Sequence, residues 1–494
     1  MIEADVVVVG AGGSGLAAAW QAATLGRDVI VLEKNQAAGG STSWSVGSVT
    51  ATRTRHQRRA GIVDSPEDHF EDMNLVSGAL APRDNLVLRR LLVDATTETL
   101  EWLQSLGIVF VGPMPEPPHR CARMHVVVPS SASFAFHLTR HCRRLGVNIR
   151  LGEQATRLLQ RDGRVVGVEA RLGDGSAHEI HARRGVVLAA GDYSNGRELK
   201  ARYASPDVAD IEAVNVTATG DGQQLALELG ATVLNGDIVR GPIMRFVPPE
   251  RRSWLQRVAP VTPLARLIAW SYEHLPARIV RPFLLSYLTT ALGPSPDLFA
   301  QGAVLVNREG RRFTDECAKP NPDVARQPGR AAWIVFDAAI AARFSTWPHF
   351  ISTAPGVAYA YLADYRRNRP DLFHAAPTLA ALASSVGVPA QALERTIEEY
   401  NESGRDGRTA IAAAPFYALG PARSYVVFTE GGLAVTERLE VVGADGRPIS
   451  GLYAAGSNGQ GGLLLEGHGH HLCWAFASGR IAGRNAATAE AVKP

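Results

Sequence analysis

Cysteine is scarce: the 494-residue chain holds four, Cys121, Cys142, Cys317 and Cys473, with no CxxC pair and no metal-ligand spacing among them. That argues against a disulfide framework and fits a reducing compartment. An excess of charge of one sign is equally lacking. Lys and Arg total 51 against 48 Asp and Glu, a formal net charge of +3. No basic tail or arm stands out, so nucleic acid is not an expected partner. No run of about 18 uncharged apolar residues occurs, which leaves no candidate transmembrane helix. The first residues, Met-Ile-Glu-Ala-Asp, carry acids where a secretory signal carries positive charge, so a cytoplasmic location is expected. What is present is ordinary for a folded chain: 46% of residues are hydrophobic and 20% charged, enough to build a sizeable core. The length, about three times a typical domain of ~150 residues, favours two or three structural units.

The densest signal lies in the first forty residues. Asp5-Val6-Val7-Val8-Val9 is a short β-branched run of the kind that forms a buried parallel strand. It leads into Gly10-Ala11-Gly12-Gly13-Ser14-Gly15 and then into the alanine-rich, helix-favouring Leu16-Ala17-Ala18-Ala19-Trp20-Gln21-Ala22-Ala23. A second strand, Asp28-Val29-Ile30-Val31-Leu32, ends at Glu33. Strand, glycine turn, helix, strand and acid in this order form a dinucleotide-binding βαβ unit. Gly10 permits the tight turn, Gly12 lets the backbone approach a pyrophosphate, and Gly15 allows the helix to pack closely on the strand. The helix N-terminus then faces the phosphates, and Glu33 is placed to accept hydrogen bonds from a ribose. An acid at this position disfavours a 2′-phosphate, and so NADP.

A second glycine-rich segment follows directly, Lys34-Asn35-Gln36-Ala37-Ala38-Gly39-Gly40-Ser41-Thr42-Ser43-Trp44-Ser45-Val46-Gly47, which suits a ligand extending beyond its ribose. Here the chain resembles the FAD-binding subunits of the fumarate reductase and succinate dehydrogenase family, which includes the 3-ketosteroid dehydrogenases. The likeness recurs at Asp162-Gly163-Arg164, Gly185-Val186-Val187-Leu188-Ala189-Ala190-Gly191 and Thr219-Gly220-Asp221-Gly222. It continues at Gly302-Ala303-Val304-Leu305-Val306-Asn307, Gly451-Leu452-Tyr453-Ala454-Ala455-Gly456 and Gly479-Arg480-Ile481-Ala482-Gly483. The resemblance implies an α/β fold with a Rossmann-type FAD-binding domain built from both chain ends (1–235 and 425–494). An inserted α+β capping or catalytic domain is expected at 236–424, with helices near 377–386 and 389–400 and the active site between the domains. It also implies cofactor contacts from Gly10, Gly12, Gly13, Ser14, Gly15, Glu33, Lys34, Gly39, Gly40, Ser41, Thr42 and Gly47. Further contacts are expected from Ala155, Ala190, Gly191, Asp221, Gly456, Ser457, His471 and Leu472. Relatives that tether FAD do so through a His in the second loop. The loop at 41–45 has none, so FAD is expected to be held non-covalently.

The substrate question turns on missing residues. The resemblance implies that dicarboxylates are gripped by paired Arg and His, with an Arg delivering the proton. Here Cys317-Ala318-Lys319-Pro320-Asn321 lacks the Arg, Asp237-Ile238-Val239-Arg240-Gly241-Pro242 lacks the His-Pro pair, and Glu466 stands where another Arg is expected. A Glu there repels a dicarboxylate. The relatives without that clamp are ketone dehydrogenases. In them, as the resemblance implies, a Tyr takes the α-proton, flavin N5 takes the β-hydride, and a hydroxyl and a backbone N–H polarise the ketone. Gly469 falls at the N–H position, but Leu465 replaces the segment's Tyr. Candidates for the acid or base are His468 and His470 beside Gly469, then Tyr287 and Tyr425, with His119, Arg120 and His125 further candidates. A metal reading of the His468-Gly469-His470-His471 run finds no partner at a familiar spacing. The stretch 255–292 mixes apolar residues with Arg257, Arg266, Arg278 and Arg281; it reads first as capping-domain helices and secondarily as a weak membrane-surface contact. The expected activity is FAD-dependent introduction of a C=C bond next to a ketone of an apolar or alicyclic substrate, with electrons passed to an unidentified acceptor. The alternatives are enoate reduction in the reverse sense and a non-catalytic FAD-binding role.

Overall fold

The computed structural model describes residues 2–249, 258–276, 292–354, 358–403 and 407–492. The chain forms two compact units. The first gathers Met1–Arg240, Ala259–His274 and Phe428–Pro494; the second comprises Gly241–Val258 and Leu275–Val427.

The first unit is built on an eight-stranded sheet. Its centre is the strand Ile2–Val9, hydrogen-bonded in parallel to Val29–Glu33 on one side and Ala177–Leu188 on the other. Val6, Val7 and Val8 are wholly buried, because helices and a second layer cover both sheet faces, which is why this strand carries no alternation. Asn148–Leu151 and Pro448–Ala454 extend the parallel array outward, so the C-terminal segment completes a sheet begun by the N-terminus. The hairpin expected at Asp162-Gly163 joins Glu153–Arg161 to Arg164–Leu172, with positive φ at both turn residues.

Helix Gly13–Thr24 and the C-terminal helix His470–Thr488 lie against each other, and small residues make this possible. A Cβ on Gly479 would stand 2.3 Å from the Ser14 carbonyl oxygen and one on Gly483 2.2 Å from that of Ala18. Backbone approach this close is available only to glycine, and it brings the two helix N-termini to the same end of the sheet.

The second unit centres on an antiparallel five-stranded sheet. Phe416–Tyr425 pairs with Ile243–Phe246, Ala332–Phe336 and Phe373–Ala376, and Val304–Val306 pairs with Ala332–Phe336. Helices Leu379–Val386 and Ala390–Ser403 contribute Leu382, Leu393 and Ile397 to its core beside Phe336 and Phe344. An α/β dinucleotide-binding unit formed from both chain ends with an α+β insertion is therefore the architecture. One expectation is corrected: helix Thr262–His274 belongs to the first unit, not to the insertion. Its alanines Ala265 and Ala269 bury against Val111 and Val128, and small residues there let the helix sit directly on the strands.

Candidate functional site

At the C-terminal end of the central strand the chain reverses through Gly10 at φ +103°. A Cβ on Gly10 would lie 2.4 Å from the Ala189 carbonyl oxygen, and one on Gly15 only 1.8 Å from the Gly10 carbonyl oxygen. Both glycines are demanded by the protein's own packing. Gly12 and Gly191 are different: an added Cβ meets nothing nearer than 4.0 Å at Gly12 and nothing within 4 Å at Gly191. Open space over these two turns is what an extended ligand requires.

Polar groups converge around that opening. Gly13 donates its N–H to Thr42 Oγ1 at 3.1 Å, and Gly12 pairs with Gly39, which fastens the second glycine loop, with Gly40 and Ser41, to the first. Glu33 is buried; its Oε2 accepts the Ala11 N–H at 2.9 Å and its Oε1 accepts Asn35 N–H at 2.9 Å and Asn35 Nδ2 at 2.7 Å. A carboxylate has about four acceptor positions, so one remains for a ribose hydroxyl. Lys34 Nζ donates to Asp221 Oδ2 at 3.0 Å, and Asn215 Nδ2 donates to Ser41 Oγ at 2.8 Å. On the opposite side Asn458 Oδ1 accepts the Ala190 N–H at 3.1 Å while its buried Nδ2 lacks a partner within the protein, as does Oε1 of Gln223 beside Gly191. Buried polar atoms left over at one opening point to a bound polar molecule. Ala155 is buried on its strand, Gly47 turns at φ +81°, and Gly456 donates its N–H to Ser478 Oγ at 2.8 Å, just before Ser457. The donor set fits a dinucleotide.

The segment 466–472 shapes the rest of the first unit's site. Gly469, at φ +99°, precedes the helix His470–Thr488, and a Cβ there would strike the Thr50 backbone nitrogen at 2.6 Å. Thr50 donates its hydroxyl to the His468 carbonyl oxygen at 2.6 Å. His468, partly exposed, sets Nδ1 2.6 Å from Glu116 Oε1 and also donates its N–H to the same oxygen at 2.7 Å. Burial alone would raise the Glu116 pKa, but these contacts with His468 hold it below the ordinary carboxylate value. Glu466 is ion-paired to Arg240, Nη1 to Oε1 3.4 Å, so the one Arg of the 237–242 segment has its charge met by the residue that displaced the expected clamp.

His470 is fully buried. Its Nδ1 donates to the Glu466 carbonyl oxygen at 2.5 Å, which makes Nε2 the acceptor of the His69 Nε2–H at 2.9 Å. Both ring nitrogens are occupied by protein, and burial, reinforced by His119, pushes its pKa down to about 3. His470 is thus corrected from a substrate-facing acid or base to a neutral anchor of the turn. His119 and Arg120 are likewise structural. Arg123 Nη1 donates to His119 Nδ1 at 3.0 Å and is itself buried between Asp64 and Asp72, while Arg120 spans Asp68, Glu71 and Asp72. His125 is buried with Nε2 3.0 Å from Thr54 Oγ1.

His471, expected as a cofactor contact, lies beside a buried carboxylate. Its Nε2 stands 3.4 Å from Oε1 of Glu430 and its ring lies 4.2 Å from Phe428. Glu430 is completely buried; its Oε2 accepts the Gln460 amide and the Leu465 N–H at 3.4 Å. A second buried carboxylate, Asp192, whose pKa burial raises, accepts the Thr429 N–H at 3.1 Å. Leu472 is buried. Tyr425 lies in the second unit, buried on the strand Phe416–Tyr425, and Tyr287 lies outside the described residues. Sequence reasoning missed Glu430, Glu116 and His69. Glu430 had one usable signal, an acid directly before Gly431-Gly432 in a strand-rich segment; His69 had none, since it meets His470 across 401 residues. Among the described residues no three His, Cys, Asp or Glu side chains converge as a metal site.

A Rossmann turn, an acid on the second strand and an open second glycine loop define an FAD-dependent oxidoreductase fold. The chain belongs to the FAD binding domain family, whose pattern it matches over residues 5–244 and 290–463. It is 27% identical over 505 residues to a probable fumarate reductase, Ifc3, of Shewanella frigidimarina (strain NCIMB 400), covering 98% of this chain and 74% of that one. The structure resembles the open conformation of a flavocytochrome c3 fumarate reductase, with a TM-score of 0.73 and 26% identity over 98% of this chain and 78% of that one. It also resembles the 3-ketosteroid-Δ4-(5α)-dehydrogenase of Rhodococcus jostii RHA1, with a TM-score of 0.60 and 25% identity over 99% and 97% of the two chains. The protein is an FAD-dependent oxidoreductase acting on C=C or CH–CH groups. No described helix is long and apolar enough to cross a membrane.

Proposed function

We propose that this oxidoreductase interconverts a saturated ketone and its α,β-unsaturated form, in an apolar or alicyclic substrate, with His471 and Glu430 as the acid/base pair. FAD, when bound, supplies the hydride-accepting or hydride-donating partner for the β-carbon, and the open loop at 41–45 offers no His to tether it. The observation that carries the reading is the placement of His471 beside a fully buried carboxylate, together with the Glu466–Arg240 ion pair, in which the Arg of the 237–242 segment has its charge met. His471 Nε2 is buried against Glu430, so Nδ1 is the ring nitrogen that exchanges the α-proton. Glu430, its Oε1 3.4 Å from Nε2, sets the orientation of the ring. Gly469, at the N-terminus of a 19-residue helix, directs the helix field and its own N–H toward negative charge developing on the ketone oxygen. Desaturation is the direction taken from the ketosteroid dehydrogenase likeness.

A second reading, reduction of an enone or a mono-acid enoate by the same groups in reverse, is favoured by the likeness to the fumarate reductases Ifc3 and flavocytochrome c3. One anaerobic experiment separates them. Bleaching of the yellow enzyme by a cyclic ketone supports desaturation; re-oxidation of the dithionite-reduced enzyme by a cyclic enone, with no response to the saturated ketone, supports reduction. Re-oxidation by fumarate at a rate exceeding both would overturn the ketone assignment.

A further inference from the structure

Away from the glycine loops, the first unit holds an open cleft of about 290 Å³ lined by Arg55, His56, Arg59, Gln104, Thr262 and Arg266 together with residues 107–110. That volume is near the lower end of small-ligand sites. The cations come from two elements: the short helix Arg55–Arg59 within the run Arg53-Thr54-Arg55-His56-Gln57-Arg58-Arg59, and the helix Thr262–His274. Their neighbours are otherwise committed. Arg58 donates to the Arg53 carbonyl oxygen at 2.6 Å, and Thr262 donates its hydroxyl to the Gly107 carbonyl oxygen at 2.8 Å, which ties the second helix to the 107–110 segment. Among the described residues Arg55, Arg59 and Arg266 form no ion pair, nor do Arg53 and Arg58 of the same run, so the cleft's positive charge is not met by a carboxylate. That contrasts with Arg120, Arg123, Arg183 and Arg369, each of which meets at least one carboxylate. His56 adds a buried Nδ1 with no partner within the protein.

We propose that this cleft is a binding site for a small multivalent anion, a phosphate ester or diphosphate ahead of a dicarboxylate. Three uncompensated guanidinium groups in one concavity repel each other and focus a positive potential inside it. Planar guanidinium forks match phosphate and carboxylate oxygens in pairs, and a phosphate dianion or diphosphate offers more charge per volume than a dicarboxylate. The near-neutral chain as a whole conceals this: a net charge of +3 over 494 residues says nothing about three cations gathered without a counter-charge. Among the described residues the acid that acts on His56 is Glu273, on the exposed end of the second helix.

Isothermal titration of the yellow holoenzyme with sodium pyrophosphate, and separately with succinate, tests the site. Saturable pyrophosphate binding is expected, weakened at least tenfold in an R59A/R266A double variant that keeps its melting temperature and its reaction with ketone or enone. Tighter succinate than pyrophosphate binding, lost in the same variant, supports an anion site but assigns it to carboxylates. No saturable heat from either probe at millimolar concentration, or binding undiminished by the double substitution, overturns the proposal. Because the readout is binding rather than turnover, failure here leaves the oxidoreductase reading untouched, and failure of that reading leaves this one.

Discussion

His471 and Glu430 stand 3.4 Å apart, imidazole Nε2 to carboxylate Oε1, with the carboxylate wholly buried and the imidazole ring against Phe428. A buried carboxylate next to a partly exposed imidazole is the arrangement by which proteins orient a proton-transferring histidine.

Removing that proton carrier tests its role. H471Q should lower turnover by about 10²- to 10⁴-fold, the usual share of general acid–base catalysis, with the visible spectrum of bound FAD unchanged. E430Q keeps the shape and the contact to Leu465, so it should lower turnover less and displace the pH–rate profile. A pH profile indifferent to E430Q would remove Glu430 from the mechanism.

Acid should unfold the first unit sooner than its carboxylates require. Burial, with His119 reinforcing it at His470 and His56 at His125, pushes the pKa of both histidines from 6.5 to about 3, and His69 shifts in the same direction. A folded-state pKa below the unfolded value means the stabilisation is complete above pH 6.5 and is lost as pH falls toward 3. Each such histidine then costs roughly 1.4 kcal/mol per pH unit. The melting temperature should fall steeply between pH 6.5 and 4.5; a flat profile over that range would contradict the buried neutral cluster.

G15A should abolish flavin binding. Its Cβ would stand 1.8 Å from the Gly10 carbonyl oxygen, so the helix Gly13–Thr24 must move off the strand and carry the turn with it. Overpacking of this kind costs about 1–3 kcal/mol or more. The expected product is folded, colourless protein at lower melting temperature; a fully yellow G15A would show that the turn is not the cofactor's support.

Arg123 is buried with two carboxylates, 2.7 Å from Asp64 and 2.5 Å from Asp72. R123M leaves Asp64 without a counter-charge and Asp72 with Arg120 alone, and breaking one side of a buried pair costs roughly 3–5 kcal/mol. Chemical denaturation should show that loss, partly recovered by the D64N/R123M double variant, since the stranded charge is then gone.

The cofactor half of the site was legible in the sequence because it is local. Gly10, Gly12, Gly15 and Glu33 sit at short, fixed offsets along one turn and the two strands beside it; packing demands Gly10 and Gly15, and Gly12 keeps the space above the turn open. The same held for the loop at 41–45 and for the hairpin at Asp162-Gly163. The reach of the insertion was less visible: Ala265 and Ala269 signal nothing about which sheet they cover until Val111 and Val128 lie beneath them.

The proton-handling half belonged to the tertiary structure. In sequence His468, His470 and His471 are equivalent neighbours. Helix geometry sends them to different surroundings, so that His470 meets His69 in a dry pocket, His468 meets Glu116, and His471 meets Glu430. Whether an imidazole is an inert anchor or a titrating group depends on its desolvation and on the charge beside it, and both are set by residues tens to hundreds of positions away. The sequence alone therefore determined that the chain has a dinucleotide-binding turn, because phosphate-binding turns are short-range backbone geometry, and its family resemblance pointed to FAD. Only the folded chain decided which of these histidines is buried against another histidine and which stand beside a carboxylate, because burial and charge pairing are long-range.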